Sequence, residues 1–398
     1  MMKRAAALLA TTFAVTTLAG AGAAFADYGS CVAGLRSQLV ASGIDPALVN
    51  AALNQSGPDE KVLRLSKVQP EFRTLIWDYL GFLVDDQRVE EGRQMMRRHA
   101  AALAAAEKRF GVDRYYIAGV WGVETDFGRE TGSSYLPHAL ATLVCEGGKR
   151  KDFWRAELTA ALRLVQRGDL QLNELYGSWA GAFGQTQFIP STYQRLAVDM
   201  DGDGRRDLVK SVADALGSTA NYLRASGWRT GEPVMHEVIL PPGYSGPVGR
   251  TRRVPASRYA ALGVKRADGR PLPGDLPAGL LLPAGREGPA FLVYKNFDAI
   301  YAYNRAESYA LAISYLAQRL AGGPRIAGTW PTDDPGLSRA QRRRLQELLV
   351  ARGFDIGGAP DGKIGPATRA AIARVERQLG MPETGRAGMK VYRALGGQ

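Results

Sequence analysis

Residues 117–128 read IAGVWGVETDFG, an apolar run with one carboxylate, Glu124, set into it. Ile117, Val120, Trp121, Glu124 and Gly128 fall on one face at helical spacing. A face of that kind has to be buried, and a carboxylate taken with it is costly unless it is paired or kept protonated. Burial beside Trp121 raises the carboxyl pKa, as a general acid working near neutral pH requires. A structural Glu satisfied by an Arg or a helix N-terminus explains the same pattern equally well. Asp126 is the weaker candidate, since residues two apart on a helix do not share a face.

The chain opens as an exported one. Lys3 and Arg4 precede an apolar stretch, and small residues follow up to Ala24-Phe25-Ala26, so 1–26 reads as a signal peptide cleaved after Ala26. The apolar run is short for a spanning helix and broken by threonines, which argues against a stable membrane anchor. Tyr28 stands three before Cys31, and no lipoprotein site is expected there. The protein is expected to be periplasmic or secreted. Cys31 and Cys145 are the only cysteines. In an oxidising compartment they either bridge, tying the N-terminal segment to the region of Glu124, or remain two half-buried thiols. With no close Cys and His spacing, a zinc site is not expected.

The rest of the chain is mainly helical by pattern. Two short helices are expected over 28–54, a loop and an extended segment over 55–73, and helices over 76–110. Asp113 is the expected N-cap of the Glu124 helix. A basic cluster at 149–151 opens an amphipathic helix. The segment 177–193, GSWAGAFGQTQFIPSTY, combines turn-forming glycines at 181 and 184, the polar groups of Ser178, Gln185 and Gln187, and the flat faces of Trp179, Phe183 and Phe188. That mixture suits a neutral, amphipathic ligand such as a sugar. Asp199, Asp201, Asp203 and Asp207, with Gly204, form the front half of an EF-hand-like calcium loop, but Lys210 stands where the last acid belongs, and Asp214 is the substitute within reach. An acidic turn capping the next helix is the alternative reading.

The segment 231–294 has the Pro- and Gly-rich texture of a small β-rich insert, with apolar runs at 234–240, 279–282 and 291–294. Helical pattern returns at 298 and continues to 320, after which 321–336 is a linker by composition. Residues 337–398 form a separate helical domain with 12 Lys and Arg against 5 Asp and Glu, well over half of the net +10 left after signal removal. A basic exported domain implies an anionic partner, and cell-wall polymer fits better than nucleic acid.

These stretches resemble, in order, the membrane-bound lytic transglycosylase B family, here in a soluble exported form. The residues that carry the likeness are GVWGVETDFGR (119–129), ALATL (139–143), the 177–193 segment, STANYLRASGW (218–228) and YNR (303–305). DGKIGPATR (361–369) resembles a common peptidoglycan-binding module. The resemblance implies a lysozyme-like, mainly helical catalytic domain over 27–320. It also implies cleavage of the β-1,4 bond between N-acetylmuramic acid and N-acetylglucosamine in peptidoglycan, leaving 1,6-anhydromuramoyl ends. It makes Glu124 the catalytic acid/base. It places Ser178, Gln187, Tyr222, Tyr303, Asn304 and Tyr309 on pocket positions, and Lys149 and Arg150 on a basic pair facing the glycan and its peptide. It also implies calcium at Asp199, Asp201, Asp203, the carbonyl of Arg205, and Asp207, where Lys210 is the departure. No cofactor is required, calcium would be structural, and other wall enzymes are candidate partners. Ordinary glycosidases set two carboxylates across the bond, whereas the stretches around this cleft offer one. A hydrolytic muramidase using the same acid, or a non-catalytic wall-binding protein, are the competing readings.

Overall fold

The computed structural model describes residues 19–66 and 74–398, with side chains from residue 27 onward. Residues 1–18 of the expected signal peptide, and the extended segment expected up to residue 73, lie outside the described residues. The leucine pattern after residue 28 gives α1 (Ala19–Ala41) and α2 (Pro46–Ala52), separated at Gly43, whose φ of +85° suits glycine. The loop and extended segment expected over 55–73 are corrected in the part described. α3 (Glu60–Ser66) forms there, started by Asp59 Oδ1, which accepts from the N–H groups of Lys61 and Val62 at 2.9 and 3.1 Å. It buries only Val62, too little to leave a periodic trace.

The helical region that follows resolves into α4 (Ile76–Leu83), α5 (Asp86–Arg98) and α6 (Ala100–Phe110). α7 (Arg114–Thr125) carries Glu124, and Asp113 caps it, accepting from Tyr115 N–H at 2.8 Å. Because α7 ends at Thr125, Gly128 lies in the turn beyond it and not on the Glu124 face. A two-stranded ladder of β1 (Ser134–Tyr135) and β2 (Tyr176–Gly177) brackets α8 (Leu136–Glu146) and α9 (Lys151–Gln166). α10 (Pro190–Leu196) and α11 (Val212–Ala225) follow.

The insert is a five-stranded antiparallel sheet. It comprises β3 (Met235–Ile239), β4 (Gly249–Pro255), α12 (Ala256–Ala261), β5 (Lys265–Arg266), β6 (Pro277–Leu281) and β7 (Ala290–Val293), with strand order β4-β6-β7-β3-β5. The three apolar runs became β3, β6 and β7. The strands without an apolar run, β4 and β5, are the two edges, where arginine and lysine discourage pairing with another chain. Helix then returns as two pieces, α13 (Lys295–Asn304) and α14 (Glu307–Leu320), because Arg305 turns left-handed at φ +52° and Ala306 is extended. Residues 321–338 hold no helix. α15 (Arg339–Val350), α16 (Pro366–Gln378) and a third helix not foreseen, α17 (Met389–Ala394), close around Leu337, Leu345, Leu349, Ile372, Val375 and Tyr392.

The catalytic region has two apolar cores. One joins α4–α7, α11, α13 and α14 to the inner face of the sheet. The other joins α1 and α2 to α8–α10. Tyr222 and Tyr303 pack against both, which places them at the seam. α7 lies close against α14 because it presents glycines: a Cβ on Gly119 would meet the Ile313 carbonyl at 3.0 Å, and one on Gly122 would meet Leu316 at 2.8 Å. The C-terminal domain docks on the first lobe. The Arg386 guanidinium grips both Asp78 oxygens, at 2.6 and 2.7 Å, while Arg342 reaches the Asp78 carbonyl at 3.1 Å and stacks over Phe82. Part of that domain's positive charge is therefore neutralised within the chain itself.

Of the two fates left open for the cysteines, the structure has the bridge: Cys31 on α1 joins Cys145 on α8 across 114 residues of sequence. In the chain-entropy account a loop of this size contributes about 5 kcal/mol by constraining the unfolded state. The Cys31→Ser, Cys145→Ser double variant is expected to keep a native circular dichroism spectrum and to lose that order of stability in urea. An unchanged midpoint would show that the bridge adds nothing.

Candidate active site

Glu124 sits one residue from the end of α7, partly buried between the two lobes. Burial pushes its carboxyl up to about 7, and the Tyr309 hydroxyl, donating to Oε1, opposes that rise. Those are the influences that set its acidity, and no second carboxylate is among them. Trp121, a turn back, is 0 % exposed, and its indole N–H donates to Gln185 Oε1 at 3.0 Å. Trp121 is thus buried one turn before Glu124, with its indole N–H spent on Gln185. Among the described residues no Arg or helix N-terminus pairs with Glu124 as the structural reading would require; its partner is a tyrosine.

The backbone around Glu124 is held in conformations that side chains rarely adopt. Among the described residues the non-glycine positions with positive φ are Asp126 (52°), Phe127 (59°), Gln187 (53°) and Arg305 (52°). Two follow Glu124, one lies in the 177–193 segment, and one is the hinge between the helices bearing Tyr303 and Tyr309. Such positions cost of order 1–3 kcal/mol each and persist where the surroundings over-determine them. Their clustering marks the cleft independently of any side-chain pattern.

Tyr309, 2 % exposed, stacks near Tyr303, with ring centroids 6.3 Å apart. Tyr303 lies 4.5 Å from the Tyr222 ring, and Phe188 meets both edge-on. The Tyr303 hydroxyl donates to the Thr186 carbonyl at 2.7 Å, and that of Tyr222 to the Ala302 carbonyl at 2.9 Å. Burial, and after it the Glu124 charge, hold the Tyr303 phenol well above its ordinary value, so it stays neutral. Gln187 Nε2 donates to the carbonyls of Thr131 (2.9 Å) and Gly184 (3.0 Å), leaving its amide oxygen available. Ser178 Oγ accepts from Ala182 N–H at 3.0 Å, keeping its own proton to donate. Asn304 ends α13, exposed. Lys149 and Arg150 are exposed on the turn between α8 and α9, where Arg150 stacks over Phe153 at 4.3 Å, and no contact joins them to the Glu124 group.

Thr125 and Gln185 contribute what sequence reasoning did not assign. Thr125 Oγ1 donates to the Gln185 carbonyl at 2.5 Å and accepts from Gly128 N–H at 2.9 Å, fastening the end of α7 to the 177–193 segment. Gln185 was noted as a polar group of that segment, but its carboxamide faces Trp121 and the Val209 carbonyl and is spent on structure. Nothing in the residue types announces either role. Asp126 is also spent, in contacts with Arg88, Arg129 and Arg339.

In the acidic loop, carboxylate oxygens of Asp199, Asp201 and Asp203 lie within 4.8 Å of one another. Asp199 also accepts from the N–H groups of Gly202 (2.6 Å) and Gly204 (2.9 Å), and Asp203 from that of Arg205 (2.8 Å). Asp207 turns away to the N–H groups of Val209 and Lys210, and Lys210 pairs with Glu174. Asp214 does not replace the missing acid. Its two oxygens accept from Met200 N–H at 2.7 Å and Asp207 N–H at 2.8 Å. Three carboxylates fit a hard cation; the usual bidentate closure is absent.

Helical lobes around a cleft, with one elevated carboxyl and a wall of tyrosines and amides, define a glycan-cleaving enzyme of lysozyme-like fold. The chain belongs to the Transglycosylase SLT domain family, which it matches over residues 27–318, and residues 338–395 match a peptidoglycan binding domain. It is 32% identical over 291 residues to membrane-bound lytic murein transglycosylase B of Escherichia coli K12, covering 70% of this chain and 79% of that protein. SltB3 from Pseudomonas aeruginosa, solved in complex with NAG-anhNAM-pentapeptide, shares 43% identity at a TM-score of 0.74, covering 92% of this chain and 99% of that one. Escherichia coli Slt35, solved in complex with calcium, shares 32% at a TM-score of 0.65, covering 73% and 92%.

Titration of Glu124 followed by carboxyl ¹³C NMR is expected to centre near 7. In Tyr309→Phe the midpoint should move higher, because the hydroxyl stabilises the charged form. A wild-type midpoint in the ordinary carboxylate range would contradict this description of the site.

Proposed function

We propose that the chain is a lytic murein transglycosylase in which Glu124 serves alone as acid and then base. The observation that carries this is the isolation of Glu124: its carboxyl sits near 7 through burial, and among the described residues a tyrosine is its hydrogen-bond partner and no second carboxylate perturbs it. A two-carboxylate mechanism needs a partner across the scissile bond, and Asp126, the nearest acid in sequence, is consumed in ion pairs.

In the first step neutral Glu124 gives its proton to the glycosidic oxygen as the C1–O bond breaks. The positive charge left on the muramic acid ring is stabilised by its own N-acetyl carbonyl or by the amide and tyrosine wall. The Glu124 carboxylate so formed is the species that accepts the Tyr309 hydrogen bond, so that bond strengthens as the reaction proceeds. In the second step Glu124 takes the proton of the C6 hydroxyl, whose oxygen closes on C1 of the same ring. The carboxyl is restored and no water is consumed. Attack within one ring has a large effective molarity, and a cleft that excludes water leaves it without competition. The tyrosine face and the Gln187 and Ser178 groups suit the sugar. The known complex of SltB3 with an anhydro-muropeptide supports this product class.

The reading also places the enzyme outside the cytoplasm, on the wall, with residues 1–26 as a cleaved leader. Among the described residues no helix is long and apolar enough to cross a membrane. The C-terminal domain is assigned to peptidoglycan binding, with Lys149 and Arg150 as rim contacts for the peptide.

Muropeptides released from purified sacculi by wild type and Glu124→Gln test the assignment by mass spectrometry. Wild-type products should be lighter by one water than their reducing-end counterparts, and the variant should release them at least about 1000-fold more slowly. Wild-type turnover should fall as pH rises through 7, since the neutral acid is present below that value and lost above it. Comparable release by the variant would remove Glu124 from the mechanism.

Calcium is proposed as a weak structural ligand of Asp199, Asp201 and Asp203, helped by the Arg205 carbonyl, while Asp207, expected as a further ligand, holds the end of the loop through the Val209 and Lys210 N–H groups. Ten millimolar calcium should raise the thermal midpoint by about 2 °C, as a site of millimolar affinity does, and Asp199→Ala should abolish the shift. No shift in the wild type would mean that the loop has become a self-contained acidic turn.

A further inference from the structure

The peptidoglycan-binding domain touches the catalytic lobe at several points, and one of them reaches the end of the helix that carries Glu124. Asp126, the C-cap of α7, stands two residues beyond Glu124 and begins a left-handed pair with Phe127. Its Oδ1 lies 3.0 Å from Arg88 Nε, and its Oδ2 takes Arg129 Nε at 3.0 Å and Arg339 Nη1 at 2.8 Å. Arg339 opens α15 and comes from the other domain. The same guanidinium reaches Asp85 Oδ2 through Nε at 3.1 Å and Glu91 Oε2 through Nη2 at 2.9 Å. Its backbone N–H also donates to Asp85, at 3.0 Å. Three carboxylates, Asp85, Glu91 and Asp126, thus face three guanidiniums, Arg88, Arg129 and Arg339. Arg88 is only 4 % exposed, so the balance of charge here is a buried one.

Without Arg339 the three acids would face two cations, and the half-buried Asp126 would lose the contact from beyond its own lobe. A residue in the left-handed region persists only while its surroundings hold it. Phe127, which follows in the same strained turn, packs edge-on against Trp121 at 5.5 Å and fills the space that Gly122 leaves. Movement at Asp126 is therefore passed back along α7, one turn from Glu124. Of the other links between the domains, Arg386 and Arg342 hold Asp78 on α4, away from this cluster, while Lys363 pairs with the exposed Glu130, whose N–H donates to the Thr125 carbonyl at the end of α7 at 2.9 Å.

We propose that the C-terminal domain is part of the catalytic apparatus, with Arg339 acting as a positioning residue that locks the end of α7 and so aims Glu124. This rests on the reading of Glu124 as the acid/base. It also gives the domain a second task, since a wall-binding module tethered by a linker has no need of a half-buried arginine shared among three acids at the end of the active-site helix.

The test uses the full-length protein and a short, soluble, uncross-linked GlcNAc–MurNAc glycan, so that affinity for the wall does not enter. Arg339→Ala is expected to lower kcat about 10- to 100-fold, with KM within about twofold, while its binding to intact sacculi is retained. Arg339→Lys keeps the charge but cannot engage three acids through a planar fork, and should fall in between. Arg344→Ala removes an equal charge from the solvent side of the same helix, where it pairs only with Glu347, and should leave kcat unchanged. Arg386→Ala loosens the docking away from α7 and should cost less than Arg339→Ala. If Arg339→Ala does not fold, Arg339→Lys decides: a native fold with reduced kcat supports the proposal, and full kcat overturns it. Full kcat in folded Arg339→Ala, or an equal loss in Arg386→Ala, also overturns it. Activity in Glu124→Gln on the same substrate would instead overturn the assignment of the acid.

Discussion

The contact on which the site depends is the hydrogen bond from Tyr309 on α14 to Glu124 on α7. It joins two helices whose backbones approach closely because Gly119 and Gly122 face Ile313 and Leu316. A carboxyl moved from 4.5 to about 7 has its charged form disfavoured by about 3 kcal/mol relative to water. Complete burial without a donor would disfavour it further, and the acid would then be too weak to give up its proton. A donor stronger than tyrosine, such as arginine, would hold it charged. The tyrosine leaves Glu124 between those limits, which is what the proposed double role of giving a proton and taking one back requires.

The rest of the architecture serves that balance. Two apolar cores meet at Tyr222 and Tyr303, and the seam between them is where a glycan can lie against rings without filling either core. The insert sheet packs its inner residues Met235, Leu281, Phe291 and Val293 into the same core as α7 and α14, so it stiffens the wall that holds Tyr309. The Cys31–Cys145 bridge does the equivalent for the opposite lobe. Acidic side chains near α7 are paired off: Asp113 caps the helix start and Asp126 is held by three arginines at its end. Among the described residues this leaves Glu124, hydrogen-bonded to a tyrosine, as the carboxyl available for the proposed chemistry.

Much of this was legible beforehand, for physical reasons. The Glu124 helix, its Asp113 cap and the Trp121 neighbour follow from spacing and local hydrogen bonding, which a short stretch of sequence contains. The β-rich insert showed itself by its glycines and prolines and by three apolar strands. Its edge strands did not, because an edge carries polar residues on purpose. Other features depend on residues far apart. The Tyr309–Glu124 pair spans 185 positions and was placed in the pocket by family resemblance alone. The left-handed residues at 126, 127, 187 and 305 are not glycines, so composition gave no sign of them. The positive charge of the last domain pointed outward to an anionic polymer, whereas Arg339 and Arg386 turn inward to acids of the first lobe and Arg342 to the Asp78 carbonyl. Asp214, within reach of the calcium loop in sequence, is committed to backbone N–H groups.

The central claim is that a single acid suffices because the substrate supplies its own nucleophile. Its most direct test is to digest sacculi in water enriched in ¹⁸O and to read the label at the newly formed muramoyl ends. The account expects none beyond background, since C1 is closed by the C6 oxygen of the same ring. Incorporation of one ¹⁸O at C1 would mean that water reaches the cleft and attacks there, and that the enzyme is a hydrolase using the same Glu124.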